Sequence, residues 1–86
     1  MPGVRLTSLN LSYLNLDYAN MRGCDLNHCP AIEASFEHAT LIACNFSDCN
    51  LRSASFRSAN ISKSNFMGSV LQSVDMLRVI AKDCNF

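Results

Sequence analysis

An 86-residue chain leaves room for one small domain and no more. At 49% hydrophobic and 16% charged residues it is apolar enough to build a core and too apolar to stay disordered. Seven Lys and Arg balance seven Asp and Glu, and this zero net charge removes the electrostatic drive toward nucleic acid or a membrane surface. No apolar run approaches the ~18 residues of a bilayer span, and the start Met1-Pro2-Gly3-Val4-Arg5 carries no apolar signal region. Five cysteines are an odd count. That speaks against a closed disulfide framework and for a reducing, cytoplasmic setting.

The organising feature is a period of five. Every fifth residue from Leu6 through Leu11, Leu16, Met21 and Leu26 to Met76, Ala81 and Phe86 is apolar. Two residues before each lies a second column of mostly small side chains, such as Ala19, Cys24, Cys29, Ala34, Ala39, Cys44 and Ser64. Asn, Asp, Ser and Thr fill most positions between the two. Inward residues two apart are the pleat of a short strand. The next inward residue comes three further on, so the chain must turn a corner there to keep its apolar side inside. Neither a helix face nor a long flat strand has this period.

Residues 1–3 form a lead-in, and 4–86 are repeats of a single domain. The first coil carries Leu9 and Leu14 in the small-residue column, which predicts a wider or less regular turn of chain. The second includes Pro30, which cannot donate to an inter-coil ladder and weakens one side. Phenylalanines then recur at Phe36 and Phe56, and at Phe46, Phe66 and Phe86, while cysteines recur at Cys24, Cys44 and Cys84 and at Cys29 and Cys49. All these steps are multiples of twenty, so four pentads make one turn of a square solenoid. About four coils at ~4.8 Å spacing give a rod some 20 Å long. Over 70–82 a helical reading competes, with Val70, Val74, Leu77 and Ala81 on one face. The solenoid is preferred there because Val74, Met76, Val79, Ala81, Cys84 and Phe86 keep the pentad register.

Motifs such as Ala19-Asn20-Met21-Arg22-Gly23, Cys49-Asn50-Leu51-Arg52-Ser53 and Ala59-Asn60-Ile61-Ser62-Lys63 resemble the A(D/N)LXX unit of pentapeptide-repeat proteins. The resemblance covers the whole chain. It implies an all-β fold, a right-handed quadrilateral β-helix of about four 20-residue coils around a Phe/Leu core. A narrower resemblance, through Gly68-Ser69-Val70-Leu71, Met76-Leu77, Cys84-Asn85-Phe86 and the Cys- and Ser-rich small column, is to the arrays of BTB proteins of the potassium-channel-tetramerisation type. It implies the recognition half of a cullin ubiquitin-ligase adaptor.

Little chemistry accompanies this architecture. Cys24, Cys29, Cys44 and Cys49 form two C-x₄-C pairs that could bind zinc, yet each occupies a column where neighbouring pentads carry Ala or Ser. Structural cysteines are expected, with no metal and no cofactor. His28 and His38 lack a nucleophile or metal set, and the three glycines form no phosphate loop. No enzyme is expected. The Asn column suits corners and local hydrogen bonds.

Function then falls to the outer surface. Twenty-residue folding brings Asp17-Tyr18, Glu37-His38, Arg57-Ser58 and Leu77-Arg78 onto one wall, and Tyr13, Ile32-Glu33 and Arg52 onto the adjacent one. Tyr13, Tyr18, Glu33, Glu37, His38, Arg52, Arg57 and Arg78 are the candidate surface for a protein partner, since exposed aromatic and Arg side chains anchor interfaces. Glu37 with Arg57 is the incidental pair expected of a merely solvated face. An open coil end would leave unpaired backbone groups, and Leu77, Ile80 and Phe86 are the expected contacts of an end-to-end homodimer. The leading expectation is a non-enzymatic interaction module. A DNA-mimic inhibitor of type II topoisomerase and a zinc-binding domain built on four cysteines are the alternatives; the first would need a longer, acidic rod.

Overall fold

The computed structural model describes residues 1–86, and the chain winds as a four-sided coil from end to end. Each pentad is a three-residue extended segment followed by a two-residue turn. Parallel pairing joins Arg5 to Asp25, Asp25 to Asn45 and Asn45 to Asn65, and likewise on every side, always twenty residues apart. The first wall is made of residues 4–6, 24–26, 44–46, 64–66 and 84–86. The second begins 9–11, the third 14–16 and the fourth 19–21, each repeating every twenty residues. The Cα body measures 26 × 24 × 23 Å, so four coils make a block as tall as it is wide rather than a rod.

Between the two ends of the coil nearly every backbone donor finds a partner, as buried amides must, while amides of the last coil such as those of Leu71, Met76 and Ala81 are left open. Within a pentad the inward residue and the corner residue two later donate up to the following coil, as Leu6 N–H does to the Asp25 carbonyl (2.7 Å) and Ser8 N–H to that of Asn27 (3.0 Å). The middle residue of each segment donates down, as Asp25 N–H does to Val4 (3.0 Å). A fourth amide closes the turn, as in Leu9 N–H to the Leu6 carbonyl (3.1 Å). The fifth, on the first corner residue, is met by a side chain. Asn10, Asn15, Asn45 and Asn60 each accept it two residues on, at 2.9–3.1 Å. This is the local hydrogen bonding expected of the Asn column. Where that position is Pro30, Ser35 or Ile80, the residue one coil earlier serves instead: Ser12, Asp17 and Ser62 accept the amides of Ile32, Glu37 and Lys82.

The corners carry an unexpected feature. All seventeen second-corner residues from 3 to 83 have φ between +56° and +73°, and only Gly3, Gly23 and Gly68 are glycine. Positive φ at the third turn residue with the closing hydrogen bond is a type II turn, which favours Gly there. For other residues the left-handed conformation costs about 1–2 kcal/mol. It persists because the same amide is held in the ladder, as with Tyr13 to Ile32 (2.9 Å) and Tyr18 to Glu37 (2.8 Å).

Two phenylalanine columns fill the interior from opposite walls. Phe36 stacks on Phe56 (5.0 Å between centroids) and Phe46 on Phe66 (4.9 Å), and the two columns meet edge to face, as Phe46 does Phe56 at 5.6 Å. Such offset and T-shaped contacts suit the ring quadrupole. Small residues sit at the turns, and their thiols and hydroxyls donate to the turn carbonyl one coil earlier: Cys44 to Met21, Cys49 to Leu26 and Cys84 to Ile61, at 2.9–3.0 Å. Ser64 goes further. Its hydroxyl accepts the Cys44 amide (3.0 Å) and donates to the Leu41 carbonyl (2.6 Å), standing inside the 41–44 turn in place of its direct bond.

Segment 70–82 holds the pentad register, with Val70, Asp75 and Ile80 paired to Asn50, Ser55 and Asn60; no helix forms. Pro30 removes the pairing with Asn10, yet its carbonyl still accepts the Leu11 amide (2.7 Å). The first coil keeps a regular ladder, contrary to the widening expected from Leu9 and Leu14. Those side chains are accommodated by half-exposure at the tip, 51% and 46%, where no earlier coil confines them.

Candidate partner-binding wall

The exposed tyrosines belong to one face. The residues assigned above to two adjacent walls are turn residues, and the corners at 12–13 and 17–18 flank a single flat strand, 14–16. The third wall is therefore floored by Asn15, Ser35, Ser55 and Asp75. One edge carries Tyr13, Glu33 and Arg52, and the other Tyr18, Glu37, His38, Arg57 and Arg78. Tyr13 and Tyr18 are 71% and 74% exposed. Tyr18 stacks on His38 one coil below, with centroids 4.8 Å apart and planes 7° from parallel.

The charges on this face are linked along a diagonal of eighteen residues rather than twenty. Asp17 accepts from the Ser35 hydroxyl, Glu37 accepts from that of Ser55 (3.0 Å), and Arg57 donates to Asp75 through Nε (3.1 Å) and a terminal nitrogen (2.8 Å). The expected pair of Glu37 with Arg57 does not form. A corner side chain leans toward the strand of the next coil, so it meets the residue eighteen on. Arg57–Asp75 is the one salt bridge of the chain, and it is solvent-exposed. The Leu77 amide, then the Arg57 guanidinium, hold the Asp75 carboxyl below its ordinary range. Glu33, Arg52 and Arg78 stand exposed without an ion-pair partner. Asp75 and Ser55 were not singled out from the sequence; the diagonal offset is the signal that finds them.

The remaining expected contacts sit differently from the expectation. Leu77 is a corner residue and Ile80 lies mid-strand on the fourth wall, both 51% exposed and facing sideways. Phe86 alone of the three lies at the coil end, 61% exposed and stacked on Phe66 at 5.2 Å. The cysteines are all free thiols, and four are buried. Burial pushes Cys44 and Cys49 up to about 11 and raises Cys29 as well. No three of His, Cys, Asp and Glu gather with the geometry of a metal site, and no pocket opens on the surface. No helix is long and apolar enough to cross a membrane.

The comparisons with known proteins agree with this geometry. The profile for pentapeptide repeats (8 copies) matches residues 1–29, 34–72 and 49–86. A pentapeptide repeat protein from the thylakoid lumen of Arabidopsis thaliana superposes with a TM-score of 0.92 at 24% identity, over 95% of this chain and 57% of that one. HetL from the cyanobacterium Nostoc, a pentapeptide repeat protein involved in heterocyst differentiation regulation, superposes at 0.75 with 27% identity, over 95% of this chain and 40% of that one. The chain thus spans little more than half the length of the first and less than half of the second. No curated protein matches the sequence significantly. Period, corners, stacked core and profile together place the chain in the pentapeptide-repeat family, and its fold is the right-handed quadrilateral β-helix of that family.

Proposed function

We propose that the chain is a non-enzymatic protein–protein interaction module and that its third wall is the surface a protein partner meets. The observation that carries this is the placement of Tyr13 and Tyr18, each more than 70% exposed, on rigid left-handed corners at the edges of one flat face. Tyr13, held out in water on a strained corner with no ring partner, gains nothing for the fold, and Tyr18 gains only its stack on His38. Rigid rings lose little entropy on binding, which is what makes them effective anchors. The unpaired Glu33, Arg52 and Arg78 around them supply the polar rim of such a surface.

The reading extends to a reducing, cytoplasmic setting, supported by five cysteines that are all free thiols. A finer form makes the wall the recognition half of a BTB-type cullin adaptor; it rests on the Cys- and Ser-rich inward column and requires cullin binding by the full gene product.

A photo-crosslinking amino acid at position 18 tests the reading, with one at Asn65 on the opposite wall as control. Protein adducts at position 18 and none at 65 are expected. Equal labelling at both, or none at either, would overturn it.

A further inference from the structure

The third wall carries its charges in two halves. Along its edges, coils one and two present Asp17, Glu33 and Glu37, and coils three and four present Arg52, Arg57 and Arg78; the one acid of the lower half, Asp75, lies on the floor beside Arg57. We propose that this wall pairs with the same wall of a second copy, the two coil axes antiparallel. The inference rests on the third wall being an interaction surface and names its occupant.

The geometry follows from symmetry. A two-fold axis lying in the interface, across the coil axis and between coils two and three, reverses the coil order and keeps each edge opposite the same edge of the partner. Glu33 then faces Arg52 of the second copy, Glu37 faces Arg57, and Asp17 faces Arg78. The exposed Leu77 meets the ring of Tyr18, covering two apolar surfaces at once. Asn15 lies opposite Asp75, and Ser35 opposite Ser55. Every acid of the upper half meets a base. With the two-fold axis along the coils instead, the edge holding Glu33 faces the edge holding Glu37 and like charges meet, so the charge pattern selects the antiparallel form. Arg57 is free to take part because its intrachain pair with Asp75 is exposed, and such pairs hold weakly.

The size of the face is adequate. The body is nearly as wide as it is tall, and one side of six is about a sixth of its 4631 Å² surface. Two such faces bury ~1,500 Å², close to the ~1,600 Å² of a standard specific interface. The face has no protruding strand edge, since its backbone is bonded to the coils on either side.

Sedimentation velocity on three chains tests the proposal: the wild type, Glu33→Arg/Glu37→Arg and Arg52→Glu/Arg57→Glu, with far-ultraviolet spectra to confirm the fold of each. The first double variant has an all-basic centre and the second an all-acidic one. Each alone should self-associate at least tenfold more weakly than the wild type, and their equimolar mixture should restore the dimer. Raising salt from roughly 0.05 to 0.5 M should weaken all these pairings. Phe86→Ser should leave the dimer intact. A wild type that stays monomeric up to roughly 1 mM, a mixture that does not re-pair, or a dimer lost with Phe86→Ser but not with charge reversal, would overturn the proposal. A monomeric wild type that still gives position-18 adducts to another protein would leave the interaction module standing without this occupant.

Discussion

Truncating Phe46 to Ala removes the ring that ties the two aromatic columns together. Phe46 is fully buried, stacks on Phe66 at 4.9 Å and meets Phe36 and Phe56 edge to face at 5.8 and 5.6 Å. Loss of a buried Phe costs about 3–5 kcal/mol, because the surrounding coils are held by their ladders and close over the cavity only in part. Against the ~5–15 kcal/mol that stabilises a typical domain, this is a large fraction. With a urea slope of about 2 kcal/mol per molar, the midpoint should fall by roughly 2 M. Phe86→Ala is the internal control. The ring there is 61% exposed and has one stacked neighbour, so its removal should cost less than about 1 kcal/mol. A double-mutant cycle sharpens the comparison. Phe46 and Phe66 should couple by about 0.5–1.5 kcal/mol, whereas Phe36 and Phe86, which neither touch nor share a ring partner, should be additive. Equal costs at positions 46 and 86, or coupling of 36 with 86 as strong as that of 46 with 66, would refute the stacking argument.

Other consequences can be measured on the same protein. A Cβ at Gly68 would lie 2.3 Å from the Asp48 carboxylate at φ +73°, so Gly68→Ala should lose more than the about 1–2 kcal/mol of the left-handed φ alone. Gly3→Ala, at φ +71° with open space around it, should lose less, and Asp48→Ala should recover the difference. The Cys44 and Cys49 thiols, raised from 9.0 to about 11 by burial, stay protonated in the folded state at a pH where the unfolded chain releases its protons, so the stability they contribute at neutral pH falls in alkali. That stability is fully present below pH 9 and is lost as pH rises toward 11, so the urea midpoint should fall across this window and the fall should shrink in Cys44→Ala/Cys49→Ala. In native protein a thiol reagent should modify the partly exposed Cys84 well before Cys44 and Cys49, and simultaneous reaction of all three would contradict the packing.

The columns were legible because the inward side of the coil repeats one pair of slots seventeen times, and a period of that kind survives any single substitution. The twenty-residue turn was legible for a related reason: like rings stack best on like rings, so Phe36, Phe46, Phe56, Phe66 and Phe86 announce their own walls. The outer surface was read less well. Modular folding assigns Tyr13 and Tyr18 to a level but does not say that both stand on left-handed corners bounding one strand; only the backbone does. Nor does it give the lean of a corner side chain, which is why Arg57 meets Asp75 and not Glu37. Leu9 and Leu14 point to a distorted coil only if the small-residue slot is closed everywhere, while at the tip it opens to solvent. Leu77 and Ile80 read as end contacts for the opposite reason: their place in the last coil was visible, their sideways direction was not.

The coil of twenty residues is the claim on which the core, the wall and its pairing all depend, and nuclear Overhauser spectroscopy on labelled protein measures it directly. The account predicts through-space cross-peaks linking the amide of Asn45 to the α-proton of Cys24 and the ring of Phe46 to that of Phe66, repeated at the same twenty-residue step on every wall. Amide contacts three or four residues apart across 70–82, or strand contacts at any other step, would contradict it.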